Sequence, residues 1–266
     1  IVGGAISFTG ETIFGDVLLP VDPHGFAWLR DLRATGSEAG RRRGRELMRD
    51  WMDRYGRYDR LAWQPALVAE RLVAWLSHYD YFCRDADGRF RDAFFKSVHR
   101  QANHLSLLAP AAVGAARIRA AKGLVYAGAC FPGGAKRLAR GLHLIELAAQ
   151  EVVFPDGGLP ERNPSLLLEV LRDLVDVRAV LSRAQHEHSA LLTAIDRAAP
   201  LLRFFRHGDG RLALFNGGFE EEDWQIDVVL NQSDAKGKAP LSGPQAGFQR
   251  LVGGRTVVLI DSGAPP

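Results

Sequence analysis

The feature that most constrains this chain is a long succession of amphipathic helical segments joined by short turns. Six helices are predicted from the spacing of apolar side chains between residue 26 and about residue 205, at 65–79, 90–108, 113–128, 136–152, 164–183 and 188–205. The segment 164–183 is the clearest, because Asn163 can cap it and Pro164 suits its first position. Connections as short as Phe131–Gly134 favour antiparallel helix pairs.

The hydrophobic period changes after Phe205. Three short strands are predicted there, the last two as a hairpin around Gly253-Gly254: Leu212–Phe215, Phe248–Leu251 and Thr256–Ile260. Residues 231–247 are rich in Gly, Pro, Ser and Asn and are predicted to be a loop. The sequence therefore predicts a mainly α protein with a helical domain over 1–205 and the start of a β domain over 206–266.

Composition and charge exclude several classes of protein. Hydrophobic residues make up 47% of the 266 residues, which is globular composition and excludes a disordered chain. Apolar runs fall far short of the ~20 residues that a membrane-spanning helix needs, so no span is predicted. The one dense basic run, Arg41–Arg45, stands among Glu38, Glu46 and Asp50. This mixture is typical of a solvated helix face, and no nucleic-acid partner is predicted.

The two cysteines and the two chain ends bear on metal binding and on whether the chain is part of a longer protein. Cys83 and Cys130 have no cluster of His or Cys around them, and no metal site or cofactor is predicted. The chain starts at Ile1 and stops at Pro266, directly after a predicted strand. We therefore expect it to be an internal piece of a longer protein.

The first polar segment that could carry chemistry is Gln101–His104, within a predicted helix. At 100° per residue, Asn103 lies almost opposite the apolar face, near Lys96 and His99, and His104 lies on the flank. Two readings stay open at this point. These polar side chains either face water or line a cavity.

Two loop segments are further candidates. Glu161 and Arg162 lie between Asp156-Gly157-Gly158 and a helix, and capping chemistry does not explain them. In the turn Arg206–Gly210, only Asp209 and Gly210 are explained by turn formation. Arg206 offers a fork that suits a carboxylate, and His207 exchanges protons near neutral pH.

Together, several segments resemble the heparinase II/III-like proteins of bacteria, most of all an alphaproteobacterial branch. The motifs that carry the resemblance follow one another along nearly the whole chain: His24–Arg33, Asn103-His104, Asp156-Gly157-Gly158, Glu161–Pro164, Arg206–Gly210, Leu214–Gly217 and Asp261-Ser262-Gly263. The resemblance implies an incomplete α/α toroid followed by the first strands of an antiparallel β-sandwich. It also implies a location in the periplasm or cell envelope.

The chemistry that this resemblance implies is β-elimination at a uronic acid of an acidic polysaccharide. One side chain neutralises the substrate carboxylate, a base removes the C5 proton, and an acid protonates the leaving oxygen. Asn103 matches the neutraliser and His104 the neighbouring substrate contact, while His207 is the candidate for proton transfer. The side chains expected to bind substrate are His99, Glu161, Arg162, Arg206 and Asp209. His207 and Asn103 are then expected to point into one cleft.

The sequence departs from the family at one position. Catalytic members carry a tyrosine at the start of the helix after the Asp-Gly loop, and Leu166 stands where we expect that tyrosine. A leucine cannot transfer a proton. Two alternatives to a lyase therefore stay open. One is a non-catalytic relative that binds acidic glycan, and the other is an α/α-barrel glycoside hydrolase that uses Asp156 or Glu161 with Asp209 as its two carboxylates.

Overall fold

A computed structural model describes residues 12–14, 17–19, 23–131 and 133–264. The chain divides into two compact units, one formed by 1–111 with 123–141 and the other by 112–122 with 142–266. Helices α6 (Gly114–Cys130) and α7 (Ala135–Glu151) contribute residues to both units. The predicted domain boundary at 205/206 falls inside the second unit and stays a prediction.

The first unit begins with a short antiparallel strand pair and continues with helices. Its elements are β1 (Thr12–Phe14), β2 (Val17–Leu19), α1 (Leu29–Ala34), α2 (Glu38–Tyr55), α3 (Pro65–Ser77), α4 (Tyr79–Phe82) and α5 (Gly88–Leu108), with parts of α6 and α7. Each of the six predicted helices is confirmed in one unit or the other, with ends within two residues of the prediction.

Aromatic side chains dominate the core of the first unit. Trp51 and Trp75 are fully buried and meet edge to face at 5.6 Å, and Phe26 packs against both. The buried guanidinium of Arg71 stacks over the Trp51 ring at 4.0 Å. One stripe of α5 is buried against this core, as its periodicity predicts: Phe90, Phe94, Val98 and Leu105. The polar face of α5 lies on the side of the helix opposite this buried stripe.

The second unit holds the later helices and the C-terminal sheet. Its elements are α8 (Pro164–Arg183), α9 (Ser189–Phe204), α10 (Asp223–Ser233), β3 (Ser242–Gly243), β4 (Phe248–Gly253) and β5 (Thr256–Asp261), with parts of α6 and α7. Helix α8 packs against both α9 and α10 through its apolar stripe. The three strands form an antiparallel sheet in the order β3-β4-β5.

A buried group of charges joins α6 to α8 in this unit. The ammonium of Lys122 lies 2.8 Å from the Asp173 carboxylate and 2.5 Å from that of Asp176. Burial alone would lower the pKa of Lys122, but the two negative charges and their hydrogen bonds raise it above its usual value. Lys122 is therefore charged in the folded protein, and its charge depends on these partners.

The C-terminal hairpin is confirmed, with a turn one residue later than predicted. Gly253 pairs with Thr256, so the two turn residues are Gly254 and Arg255, and Gly254 has a φ of +56°. A positive φ at this position is what a tight two-residue turn requires.

Two predictions for residues 206–247 are wrong. Leu212–Phe215 is not a strand and forms only a single bridge, between Arg206 and Leu212. Its backbone bonds to separate parts of the chain, because the Leu212 N–H donates to the Glu220 carbonyl and the Ala213 N–H donates to the Phe205 carbonyl. The predicted loop 231–247 begins late, because α10 extends to Ser233.

The basic run of α2 is only partly a solvated helix face. Arg42 and Arg43 are exposed. Arg41 lies over the Tyr81 ring at 4.8 Å, and Arg45 donates to the Phe82 carbonyl at 2.5 Å. Arg41 pairs with Glu38, and Arg43 pairs with Glu46, one turn away in each case. In the part of the chain that the structure describes, no helix combines the length and the apolar character needed to cross a membrane.

Candidate functional site

Three polar side chains of the first unit converge on the polar face of α5, and we call them the Asn103 cluster: His99, Asn103 and Arg137. His99 and Asn103 are four residues apart on α5 and therefore share one face, with Asn103 Nδ2 3.0 Å from His99 Nε2. Arg137, in the first turn of α7, places one Nη2 atom 2.8 Å from Asn103 Oδ1 and 3.1 Å from His99 Nδ1. The three side chains thus form a closed triangle of short contacts.

Two members of the cluster, His99 and Asn103, line an open cavity of about 590 Å³. Its described lining is basic and aromatic and contains no carboxylate side chain: Phe95, Lys96, His99, Arg100, Asn103 and Phe131. The Phe95 and Phe131 rings meet edge to face at 5.8 Å. Asn103 is exposed and also lines this open cavity, so both interpretations that the sequence left open describe it.

Sequence reasoning missed Arg137 as a member of this site. Its helix was predicted, but periodicity within α7 does not tell which neighbouring helix an arginine will meet. Lys96 and His99 were placed beside Asn103 because they share its helix. Arg137 comes from 34 residues further along the chain, and only the packing of the helices reveals it.

His104 has a different environment from its neighbour Asn103. Its Nε2 lies 3.0 Å from the Trp63 carbonyl, which can only accept, so this nitrogen carries the proton. The Trp63 ring meets the His104 ring edge to face at 5.1 Å, and the largely exposed Tyr58 ring lies 5.9 Å from it. His104 thus fastens the 56–64 loop to α5, and its predicted role as a substrate contact stays a prediction.

In the second unit, Arg162 is buried and its guanidinium is occupied by the protein itself. Nε donates to the Ala246 carbonyl at 2.9 Å, and the two Nη atoms reach the Ala264 carbonyl and the Asp261 carboxylate. A Cβ on Gly263 would lie 2.6 Å from Nη2, so glycine is needed for this close approach. The geometry favours a structural role for Arg162, and its predicted role in substrate binding stays a prediction.

The motifs that carry the family resemblance in this unit also hold one another in place. Asp156 accepts backbone N–H bonds from Gly158, Gln245 and Ala246 at 2.7–3.0 Å. Asn216 Nδ2 donates to the Arg162 carbonyl at 2.9 Å. These motifs therefore stabilise the fold through hydrogen bonds to one another.

Glu161, by contrast, has an unsatisfied atom. Its Oε2 is buried and has no hydrogen-bond partner among the residues that the structure describes. Its other carboxylate oxygen would lie 3.0 Å from a Cβ on Gly114. The described residues thus supply no hydrogen bond to this oxygen, and the predicted role of Glu161 in substrate binding stays a prediction.

Asn163 is the N-cap of α8, as predicted. Its Oδ1 accepts from the Leu166 N–H at 3.0 Å, and its Nδ2 donates to the Asn216 carbonyl at 3.0 Å. Alanine at position 163 is therefore expected to lower the free energy of unfolding by about 1–2 kcal/mol, measured by urea denaturation. Alanine at the exposed Asn231 serves as the control, and equal stability of the two variants would contradict the capping role.

The turn Arg206–Gly210 is held by hydrogen bonds and an ion pair with nearby residues of the protein. Arg206 donates to the Gly210 carbonyl and pairs with Asp227, each at 2.7–2.8 Å, and Asp209 accepts from the Arg211 N–H at 3.0 Å. Arg206 is thus paired with a nearby acid, and the predicted roles of Arg206 and Asp209 in substrate binding stay predictions. His207 is exposed, and its side chain forms no hydrogen bond with any described residue.

The predicted proximity of His207 to Asn103 stays a prediction, because the two residues belong to different units. Within the described ranges, no three side chains of His, Cys, Asp or Glu come together in a way that could hold a metal ion.

Comparisons with known proteins give one sequence relative and several structural neighbours. No family model matches the chain. It is 31% identical over 250 residues to FtsZ-localized protein C of Caulobacter vibrioides. The aligned region covers 92% of this chain and 43% of that protein. The structure is similar to heparinase III, with a TM-score of 0.72 and 16% identity over 90% of this chain and 44% of the other. It is also similar to heparan sulfate lyase HepC from Pedobacter heparinus, with a TM-score of 0.62 and 20% identity over 90% of this chain and 43% of the other.

These likenesses confirm the predicted fold class. The chain is mainly helical, ends in a three-stranded antiparallel sheet, and has the fold of the corresponding part of heparinase III. It spans less than half the length of the sequence relative and of these structural neighbours. What the likenesses establish is thus a heparinase-like fold.

Proposed function

We propose that this chain is the helical part of a polysaccharide lyase-like protein that acts on a uronic-acid-containing glycan, and that the Asn103 cluster binds the uronate carboxylate. The observation that carries the proposal is the position of Asn103. Its amide lies in an open cavity between an imidazole and a guanidinium, on the polar face of α5. The heparinase-like fold supports the same reading.

The cluster supplies what β-elimination requires first. The C–H beside a carboxylate becomes acidic only when hydrogen bonds or a positive charge stabilise the developing negative charge. The Asn103 amide supplies hydrogen-bond donors and the Arg137 guanidinium supplies a positive charge within one site. In the catalytic form of the proposal, His207 remains the predicted proton acceptor, and His104 a neighbouring substrate contact.

Leu166 favours the non-catalytic form of the same proposal. It stands in the first turn of α8, where its N–H binds the Asn163 cap, and its side chain cannot transfer a proton. In that form the protein binds acidic glycan and leaves it intact. The hydrolase alternative that uses Asp156 is disfavoured, because the Asp156 carboxylate already accepts three backbone N–H bonds. That alternative then depends on Glu161 with Asp209.

One assay separates these forms. The full-length protein is incubated with heparan sulfate, alginate and a neutral glucan, and binding, ultraviolet absorbance and reducing ends are measured. Absorbance from an unsaturated uronate indicates the lyase, and binding of the acidic glycans without product indicates the non-catalytic relative. Reducing ends without absorbance indicate a hydrolase. Equal affinity for the neutral glucan would contradict the proposal as a whole.

A second candidate function is localisation with FtsZ. It is favoured by 31% identity, over 92% of this chain, to a protein that is named for that property. The lyase-like reading instead places the protein in the periplasm or cell envelope. Fluorescence microscopy of a tagged protein together with labelled FtsZ, combined with cell fractionation, distinguishes the two locations.

A further inference from the structure

We infer that the Asn103 cluster contains more hydrogen-bond donors than it can pair internally, and that Arg137 is a carboxylate-binding residue whose anionic ligand relieves this excess. The inference deepens the proposed function and rests on it for the identity of the ligand as a uronate. It assigns a role to a side chain that the sequence did not single out.

The excess follows from the chemistry of the three side chains. A guanidinium only donates, so Arg137 presents N–H groups both to Asn103 Oδ1 at 2.8 Å and to His99 Nδ1 at 3.1 Å. The Asn103 amide nitrogen also donates, and it faces His99 Nε2 at 3.0 Å. Both ring nitrogens of His99 therefore face donors. A neutral imidazole has only one nitrogen that can accept a hydrogen bond. One of these two contacts therefore places two N–H donors against each other.

Neither rotation of the Asn103 amide nor movement of the imidazole proton removes the conflict while both ring nitrogens face these donors. Rotating the Asn103 amide by 180° lets its oxygen accept from His99 Nε2, but the amide nitrogen then faces the Arg137 N–H. Moving the imidazole proton from one nitrogen to the other only exchanges which contact is unfavourable. Protonating His99 adds a further donor and makes the excess larger. With the imidazole in this orientation, the triangle thus lacks one internal acceptor in each amide orientation and each protonation state.

A carboxylate is the group that satisfies it. Its two oxygens accept about four hydrogen bonds and donate none, so it can accept from Arg137, the Asn103 amide and the His99 N–H together. Bonds to Arg137 are charge-assisted. The described cavity lining adds Lys96 and Arg100 and contributes no competing carboxylate. Phe95 and Phe131, which also line the cavity, offer apolar surface to the carbon face of a sugar ring.

A purely structural role for Arg137 makes the opposite prediction about stability. If Arg137 simply held α7 against α5, removing it would break two hydrogen bonds and destabilise the fold. If it belongs to an excess of donors, replacing it with glutamine removes the conflict. The melting temperature of the unliganded protein is then expected to stay unchanged or to rise.

The test uses Arg137→Gln with Arg140→Gln as its matched control, since Arg140 is an exposed arginine one turn later on the same helix. The probes are D-glucuronate and D-glucuronamide, which differ only in the charged group. Binding is followed by the ring ¹⁵N chemical shifts of His99, and stability by thermal melting. Arg137→Lys is a third variant, which keeps the charge and loses the planar fork.

We expect Arg137→Gln to weaken glucuronate binding at least tenfold, with the melting temperature unchanged or raised. Arg140→Gln should bind as the wild type does, Arg137→Lys should lie in between, and glucuronamide should bind more weakly than glucuronate throughout. Unchanged glucuronate affinity in Arg137→Gln, or a melting temperature several degrees lower, overturns the inference.

The outcomes also separate this inference from the proposed function. If acidic polysaccharide binds but Arg137→Gln binds glucuronate normally, the inference fails and the proposed function stands. If Arg137 is needed for glucuronate but no uronic-acid polysaccharide binds, the proposed function fails and the anion site stands.

Discussion

Alanine at position 103 is expected to reduce β-elimination by the full-length protein by ~10²-fold or more, which is the scale of losing one preorganised donor. If the protein binds without turnover, the same change should weaken affinity for acidic oligosaccharide by roughly tenfold or more. The melting temperature should stay within about 1 °C of the wild type, because Asn103 is exposed and lies outside the core.

Two further variants sharpen this expectation. Asn103→Asp keeps the shape and the contact with Arg137 but places a negative charge against the substrate carboxylate, so its loss should exceed that of alanine. Asn231→Ala removes an exposed asparagine from α10 of the other unit and should change nothing. Unchanged binding and turnover in Asn103→Ala would remove this residue from the mechanism.

The largest effect on stability is expected from the buried charges between α6 and α8. Asp173→Leu removes one of the two carboxylates that face Lys122, whose side chain is only 10% exposed. Removing one partner of a buried pair costs about 3–5 kcal/mol. Because Asp176 still faces Lys122 at 2.5 Å, we expect a loss near the lower end of that range. The melting temperature should therefore fall by roughly 6–12 °C for a chain of this size.

A double variant identifies the cause of that loss. In Lys122→Met/Asp173→Leu the buried ammonium and its more buried partner are both removed. Asp176 then loses its partner, but its side chain is 35% exposed, so the protein should be more stable than Asp173→Leu alone. Glu169→Gln, which loses the exposed pair with Arg119, should cost less than about 1 kcal/mol. A double variant no more stable than Asp173→Leu would show that lost packing, rather than the unpaired charge, causes the effect.

The pH dependence of this contribution follows from the direction of the pKa shift. The folded-state pKa of Lys122 is raised above its unfolded value, near 10.4. Its contribution to stability is therefore fully present below that pH, and it is lost as the pH rises through the folded pKa. Across neutral pH, the difference in stability between the wild type and Lys122→Met should be constant.

Local sequence signals predicted the helices because those signals decide where helices form. Asn163, Pro164 and the apolar stripe that follows them specify α8 without reference to the rest of the chain. Helix α10 was missed although Ile226, Val229 and Leu230 carry the same kind of spacing and are buried. The Gly-, Pro- and Ser-rich stretch that follows outweighed this short signal.

The strand prediction at Leu212–Phe215 failed for a different reason. Apolar residues after a turn are compatible with a strand, but a strand also needs a partner along its length. Here the backbone of Leu212 and Ala213 is bonded to Glu220 and Phe205, which do not form a continuous neighbouring strand. Pairing of this kind is a tertiary property.

The candidate site was predictable to the extent that it lies on one helix. The period of α5 placed His99 and Asn103 on a common polar face. Arg137 enters from α7, and sequence spacing carries no information about that contact. The arginines proposed as ligands in the loops, Arg162 and Arg206, are engaged by carbonyls and carboxylates of the protein itself. Charge on a loop therefore did not indicate a free binding group.

The central claim is that the Asn103 cluster recognises a uronate carboxylate. Its most direct test is isothermal titration calorimetry of the wild-type protein with a uronic-acid oligosaccharide and with the same oligosaccharide after reduction of its carboxyl groups to alcohols. Reduction removes the charge-assisted hydrogen bonds and leaves the sugar rings intact. We expect the acidic form to bind at least tenfold more tightly than the reduced form, whereas equal affinities for the two would contradict the claim.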